Sequence, residues 1–191
     1  MFNDPSSTLS LLQTRRSGKP RDMIAPGPDD AQLRQILEIA MRVPDHGKLA
    51  PWRFVLIDNR DAFSTLLQDA YRADKSDAGR IELESMDQFA RQAPKMVAVL
   101  STPAQASKIP LWERELSAGA VCMNMLVAAN ALGFVGCWLT GWPAYNVAVL
   151  ASLGGAPHDR IAGFLFFGSP SRPLDERPRP AYEAVVSTWK G

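Results

Sequence analysis

The chain has 191 residues, 46% hydrophobic and 21% charged, a balance that fits a globular fold with a real core and excludes a disordered chain. Its 21 basic and 20 acidic residues leave a net charge of +1, so no general basic field draws it to nucleic acid or an anionic membrane. Any anion must therefore be held by a local cluster.

No apolar run is long enough to span a membrane, and the first twenty residues lack the apolar centre of a signal peptide. The only cysteines, Cys122 and Cys137, lie in apolar segments. They read as buried thiols in a reducing compartment, and a cytoplasmic location is expected.

Ser6 or Ser7 caps a first helix that runs through Leu9 and Leu12 to the basic pair Arg15 and Arg16, with Gly18 as its stop. A Pro- and Gly-rich loop over residues 20–28 follows. Asp29 or Asp30 then caps a second helix, in which Leu33, Ile36, Leu37, Ala40 and Met41 recur at helical spacing until Pro44 ends it. Residues 53–57 and 96–100 read as buried strands, and the polar stretch 61–92 between them as mostly helical, with a weak stripe and some mobility. The longest helix covers 112–132. It is apolar nearly all round, which marks a buried central element, and Gly133 stops it. Residues 134–139 form a third strand, Pro143 opens a short helical segment that ends near Gly154, and 161–167 form a fourth strand. The tail, 168–191, is Pro-rich, yet its Tyr182, Val185, Val186 and Trp189 are too apolar for a loose end; a partner subunit would cover them. Without repeats or a linker, residues 1–191 read as one α+β domain.

The common catalytic signatures fail: there is no GxSxG, Walker loop, HExxH or paired CxxC. His46 and His158 are too few for a metal cluster, so no metal site is expected and any difficult chemistry falls to a cofactor. The best local anion site is Arg15, Arg16 and Ser17, with Lys19 just beyond, where two guanidinium forks and a hydroxyl could hold a phosphate. Taken alone, the cluster reads more readily as cations complementing a helix C-terminus. The loop 42–52 gathers Arg42, Asp45, His46 and Lys48 between a strong helix and a strong strand, and ligand binding there is as well supported as a plain turn. Gly119 inside the long helix points to close packing, or to a ligand. Cys137, Trp138 and Leu139 end a buried strand, a good place for a ligand, although Trp138 also suits a core. Arg172, Arg177 and Arg179 could bring a second cationic arm, but locally a solvated tail reads better.

In order and spacing, several of these segments together resemble the FMN-dependent nitroreductase family, above all its short bacterial YdjA-like branch. They are Arg15-Arg16-Ser17, residues 41–46, Pro51-Trp52, residues 108–119, Leu132-Gly133-Phe134, Trp138 and residues 163–170. The resemblance implies a nitroreductase-like α+β fold, with a central, mostly antiparallel sheet flanked by helices, in an intertwined homodimer with two FMN sites. It implies that Arg15, Arg16 and Ser17 hold the phosphate and ribityl end, and that Arg42 and His46 reach the flavin from the other subunit. The backbone around Cys137, Trp138 and Leu139 would line the isoalloxazine. Lys19, or else Arg16, would be the cation near the pyrimidine edge, with no catalytic side chain beyond the flavin. In the implied reaction NADH or NADPH delivers hydride to flavin N5, and a nitroaromatic, quinone or similar electron-poor acceptor takes the electrons. A flavoenzyme for a dedicated metabolite and a non-catalytic FMN-binding protein are the alternatives. Many members carry a Ser and an amide pair before Pro-Trp; here those places hold Asp45, Lys48 and Ala50, and Ala50 has no hydrogen-bonding side chain. Leu139 is likewise apolar where the close branch can have a basic residue.

Overall fold

A computed structural model describes residues 2–103 and 107–191. Helix α1 (Thr8–Thr14) is capped by Ser7, whose hydroxyl accepts from the Ser10 N–H. It ends before the basic pair rather than carrying it. Arg15 is already extended, at φ −62° and ψ 140°, and Ser17 bridges to Gly136. Gly18 is not the expected stop; it packs against Val135 and its N–H bonds the Gly136 carbonyl at 3.3 Å. The tertiary contact straightens these residues, so helical periodicity alone carries α1 too far.

A two-residue strand, β1 (Met23–Ile24), lies inside the Pro/Gly loop, too short to show any period. Helix α2 (Asp30–Ala40) starts at Asp29, which forms a reciprocal capping box with Gln32. Strand β2 (Trp52–Leu56) follows. The polar stretch resolves into two helices, α3 (Arg60–Asp74) and α4 (Arg80–Arg91). Then come β3 (Lys95–Ser101), the 21-residue α5 (Leu111–Ala131) and β4 (Val135–Leu139). A 3₁₀ turn at Trp142–Tyr145 leads into α6 (Val147–Ser152), β5 (Arg160–Pro170) and a single exposed turn, α7 (Tyr182–Val185).

The sheet is antiparallel throughout, in the order β1-β5-β3-β2, with β4 also paired to β5. β5 runs longer than its apolar core because β1 pairs with its end, at Ser169 and Pro170. Alternation along the strands divides the core into two. Met96, Ala98, Leu100, Phe164 and Phe166 face Phe63 and Leu67 of α3, Ala90 of α4 and Val149 of α6. Val97, Val99, Leu165 and Phe167 face Leu33 and Ile36 of α2 and Val121, Met125 and Ala129 of α5. Helices therefore cover both faces of the sheet. Phe89 stands edge-on to both Phe164 and Phe166, at 5.3 and 5.5 Å between ring centroids.

Helix α5 is not buried all round. Trp112 (63%), Leu116 (57%) and Met123 keep one apolar stripe exposed on the isolated chain. Low overall polarity in its sequence made the stripe invisible.

Candidate functional site

Two structural accidents of β4 build the first half of the site. Trp138 projects from the strand and lays its indole across Gly163 of β5; a Cβ there would come within 2.0 Å of the indole nitrogen. Opposite, β3 and β5 change register between Val99 and Leu100, which leaves Ala162 out of the pairing, and its carbonyl accepts the Trp138 indole N–H at 2.9 Å. The bulge thus anchors the ring. Trp138 remains 38% exposed, so it is neither plain core nor free surface. Gly119 is the neighbour on α5, but a Cβ there would sit an ordinary 3.8 Å from the ring, so packing within the chain does not demand glycine. Cys137 turns its side chain into the α3/α4/α6 core, where burial raises its thiol pKa, and only its backbone is offered outward. Leu139 is half-buried against the same core.

Alongside β4 lies the extended Arg15–Ser17 segment. The Arg15 Nε donates to the Asn130 side-chain oxygen at 3.0 Å, and its Nη2 to Ser17 Oγ at 3.1 Å. Asn130 is buried on α5 and also bonds the Phe134 carbonyl at 2.9 Å, so it fixes Arg15 relative to the start of β4. Burial first, and then the positive charges of Arg179, Arg16 and Arg177, push the Arg15 guanidinium below its ordinary pKa. Arginine nevertheless stays charged in proteins. The result is a half-buried cation held among other cations.

The tail supplies part of that charge. Arg172, Arg177 and Arg179 stay exposed, as a solvated tail would, yet the charges of Arg177 and Arg179 act on Arg15, while Arg172 pairs with Asp22. The nearby counter-charges include Glu176, which pairs with Arg16 and, at 3.3 Å, with Arg179, and Asp22 and Asp175, which line the adjoining cavity. Arg16 also donates to the Gln13 and Arg15 carbonyls, so the helix-end role read from sequence is met as well. A cavity of about 230 Å³ opens here, lined by Ser17, Lys19, Asp22, Arg172 and Arg177.

Arg42 and His46 stand elsewhere. They belong to the α2–β2 loop, which is tied to α5: Asn124 donates to the Arg42 carbonyl at 3.1 Å, Ser117 to the Pro44 carbonyl at 2.9 Å, and His46 Nδ1 lies 2.8 Å from Glu113 Oε2. Ser117 and Gly119 are about 200° apart around the helix at 3.6 residues per turn. The loop and Trp138 therefore lie on different sides of α5, and one chain does not bring Arg42 and His46 to the β4 flank. The loop is strained and unfinished. Gly47, Lys48 and Ala50 all have positive φ (79°, 55° and 44°). Asp45 Oδ2 pins the Ala50 N–H at 2.8 Å, while Asp45 Oδ1 is buried with no partner among the described residues.

Sequence reasoning missed Asn130 and undervalued Arg177 and Arg179. The signal for Asn130 was an amide in an otherwise apolar helix, where a buried polar group needs a partner. Nothing local marked the tail arginines, because their meeting with Arg15 is a long-range event. Among the described residues no group of three or more His, Cys, Asp and Glu could hold a metal.

The nitroreductase family profile matches residues 12–169, from the end of α1 to near the end of β5, a span that holds the Arg15–Ser17 segment, the 42–50 loop and β4 but not the tail arginines. The chain belongs to the nitroreductase family. It is thus an enzyme of an oxidoreductase family. A relative within this family is YdjA of Escherichia coli (strain K12), provisionally named an NAD(P)H nitroreductase, which is 37% identical over 164 residues, 85% of this chain and 87% of YdjA. Among solved structures, a nitroreductase-like family protein from Bacillus cereus has a TM-score of 0.80 at 20% identity, with 97% of each chain covered. A Bacteroides fragilis nitroreductase with bound FMN gives 0.67 at 19% identity, over 95% of this chain and 98% of the other. The nitroreductase fold accounts for the antiparallel sheet covered by helices on both faces. No described helix is long and apolar enough to cross a membrane.

Proposed function

We propose that two copies of this chain clamp FMN between them and transfer electrons from NADH or NADPH to nitroaromatic, quinone or similar electron-poor acceptors in the cytoplasm. The observation that carries this reading is the half-buried Arg15, fixed by Asn130 and Ser17 and surrounded by Arg16, Arg177 and Arg179. A site with one half-buried guanidinium and exposed tail cations around it fits a phosphate monoester, which accepts several charge-assisted hydrogen bonds at once. Bound FMN would supply the two-electron chemistry at its N5 atom.

The chain's own residues then do four things. Arg15, Ser17, Arg177 and Arg179 hold the phosphate. Trp138, immobilised over Gly163, and the backbone of residues 137–139 form a flat bed for a ring. Lys19, exposed at the mouth of the cavity, puts a cation near the ring's pyrimidine edge. The other face of the site is closed by Arg42 and His46 of the partner subunit, because the same residues in one chain lie on the wrong side of α5. Two features support a pair of chains: the exposed α5 stripe, and the arm formed by residues 168–191, whose Tyr182, Val185 and Trp189 (90% exposed) find no cover in their own chain.

A visible absorption spectrum of the purified protein, taken before and after anaerobic NADH and NADPH, tests the reading. Flavin absorbance that either nucleotide bleaches and nitrofurazone or a quinone restores is the expected result. Flavin that neither nucleotide bleaches would leave a binding protein, and a colourless protein that takes up no added FMN would refute the proposal.

A further inference from the structure

A cavity of about 640 Å³ lies apart from the phosphate pocket. It lies at the other end of β4, and its size is that of a small-molecule site. Arg21, two residues beyond Lys19, and Gly141, two beyond Leu139, are both on its wall. The proposed function lays the flavin ring on Trp138 and residues 137–139, which adjoin this cavity in the chain without lining it, and the role assigned to the cavity rests on that reading.

The cavity is preorganised. Phe89 is locked edge-on against Phe164 and Phe166. Trp142 is held by its indole N–H, which donates to Asp74 at 2.9 Å, and by Tyr71, whose ring meets it edge-on at 4.8 Å. Gly141 reaches this position with φ 65° and ψ −177°, a backbone region essentially closed to other residues. Glycine is thus required to carry the chain from Leu139 into the wall that Trp142 forms.

Charge is just as unevenly distributed. Asp87 accepts from Ser64 at 2.6 Å and from Arg91 at 2.6 Å, and Arg91 also reaches Asp61 at 2.5 Å, so these groups satisfy one another. Arg21 alone is uncommitted: it is exposed and has no hydrogen-bond or ion-pair partner among the described residues. A cavity with two fixed aromatic walls and one free guanidinium matches a flat ring that bears an anion at its edge.

We propose that this cavity seats the electron acceptor and that Arg21 selects aromatic acceptors carrying a carboxylate or a similar anionic group. The phosphorylated adenosine of NADPH offers the same chemistry, so the test has two arms. In the first, kcat/KM for 4-nitrobenzoate is divided by that for the neutral 4-nitrobenzyl alcohol. In the second, kcat/KM for NADPH is divided by that for NADH. Arg21→Gln should lower the acceptor ratio at least about tenfold, the scale of one lost charge-assisted hydrogen bond, and Arg21→Lys should restore part of it. If only the NADPH ratio falls, the cavity belongs to the donor and the acceptor assignment is overturned. If neither ratio moves, Arg21 reads no anion and the proposal fails.

Binding of 2-naphthoate, which cannot act as an acceptor here, provides a readout apart from turnover, followed by quenching of tryptophan fluorescence on the purified protein. Arg21→Gln should weaken it by a similar factor; equal binding by wild type and variant overturns the proposal. Arg21-dependent binding in a protein without flavin would keep the cavity and remove the reductase reading. Nitro reduction with ratios and naphthoate binding untouched by Arg21→Gln would do the reverse.

Discussion

The two sides of α5 are built on opposite plans. Towards β4, nearly every polar group finds its partner inside the chain: Asn130 serves both Arg15 and the Phe134 carbonyl, and the Trp138 N–H has the Ala162 carbonyl. Towards the 42–50 loop, the chain ends in loose terms, with a buried Asp45 oxygen that has no partner among the described residues and three left-handed residues, and the exposed Trp112–Leu116–Met123 stripe runs between the two sides. A self-sufficient flank beside an unfinished one is what a site shared between two chains requires. In the proposed dimer the first would position a ligand, and the second would meet a surface of the partner chain.

The contrast breaks most completely at Leu116. In the proposed dimer a carboxylate at Leu116 would be buried in an apolar interface without a partner, so light scattering is expected to give twice 20.9 kDa for the wild type and 20.9 kDa for Leu116→Glu. An unchanged mass would show that the stripe is ordinary surface. On the other flank, Arg15→Met should raise the FMN dissociation constant about 100-fold, measured by quenching of flavin fluorescence, since a half-buried charged donor is removed. Gly163→Ala probes the same flank without touching charge. The new methyl would collide with the Trp138 indole, and we expect a loss of about 2 kcal/mol in denaturant unfolding, with a shift in tryptophan emission.

The smallest effect at neutral pH comes from the interior of α5 itself. Burial pushes the Cys122 thiol up from 9.0 to about 12. Between those values the unfolded chain loses its thiol proton while the folded chain keeps it, so stability is full below pH 9 and falls as pH rises towards 12. The slope is about 1.4 kcal/mol per pH unit for one proton. Cys122→Ala should flatten that part of the stability curve and leave the rest of the titration unaltered.

Much of this protein is written in its local chemistry. A cap at Asp29 or Asp30, the stripe of α2 and the apolar runs of β3 and β5 are visible because a cap needs an oxygen at a particular place and because helical spacing and short unbroken apolar runs differ. The polar stretch is harder to read. Only Phe63, Leu67 and Ala70 of α3 and Ala90 of α4 bring buried apolar side chains to the core, too few to give a strong stripe over 61–92. The candidate residues Arg15, Arg16, Ser17, Arg42, His46, Cys137, Trp138 and Leu139 could be nominated from their order along the chain. Their spatial arrangement could not.

Composition and periodicity by themselves determined helices α2 and α5, the apolar strands β2 to β5 and the presence of a local cation cluster, since each depends on neighbours within a few residues. Tertiary structure decided the rest: the early end of α1, the strand at Met23, the meeting of Arg177 and Arg179 with Arg15, and which face of α5 stays bare. Those outcomes arise from contacts between segments far apart in the chain, whose energy no local window of sequence contains.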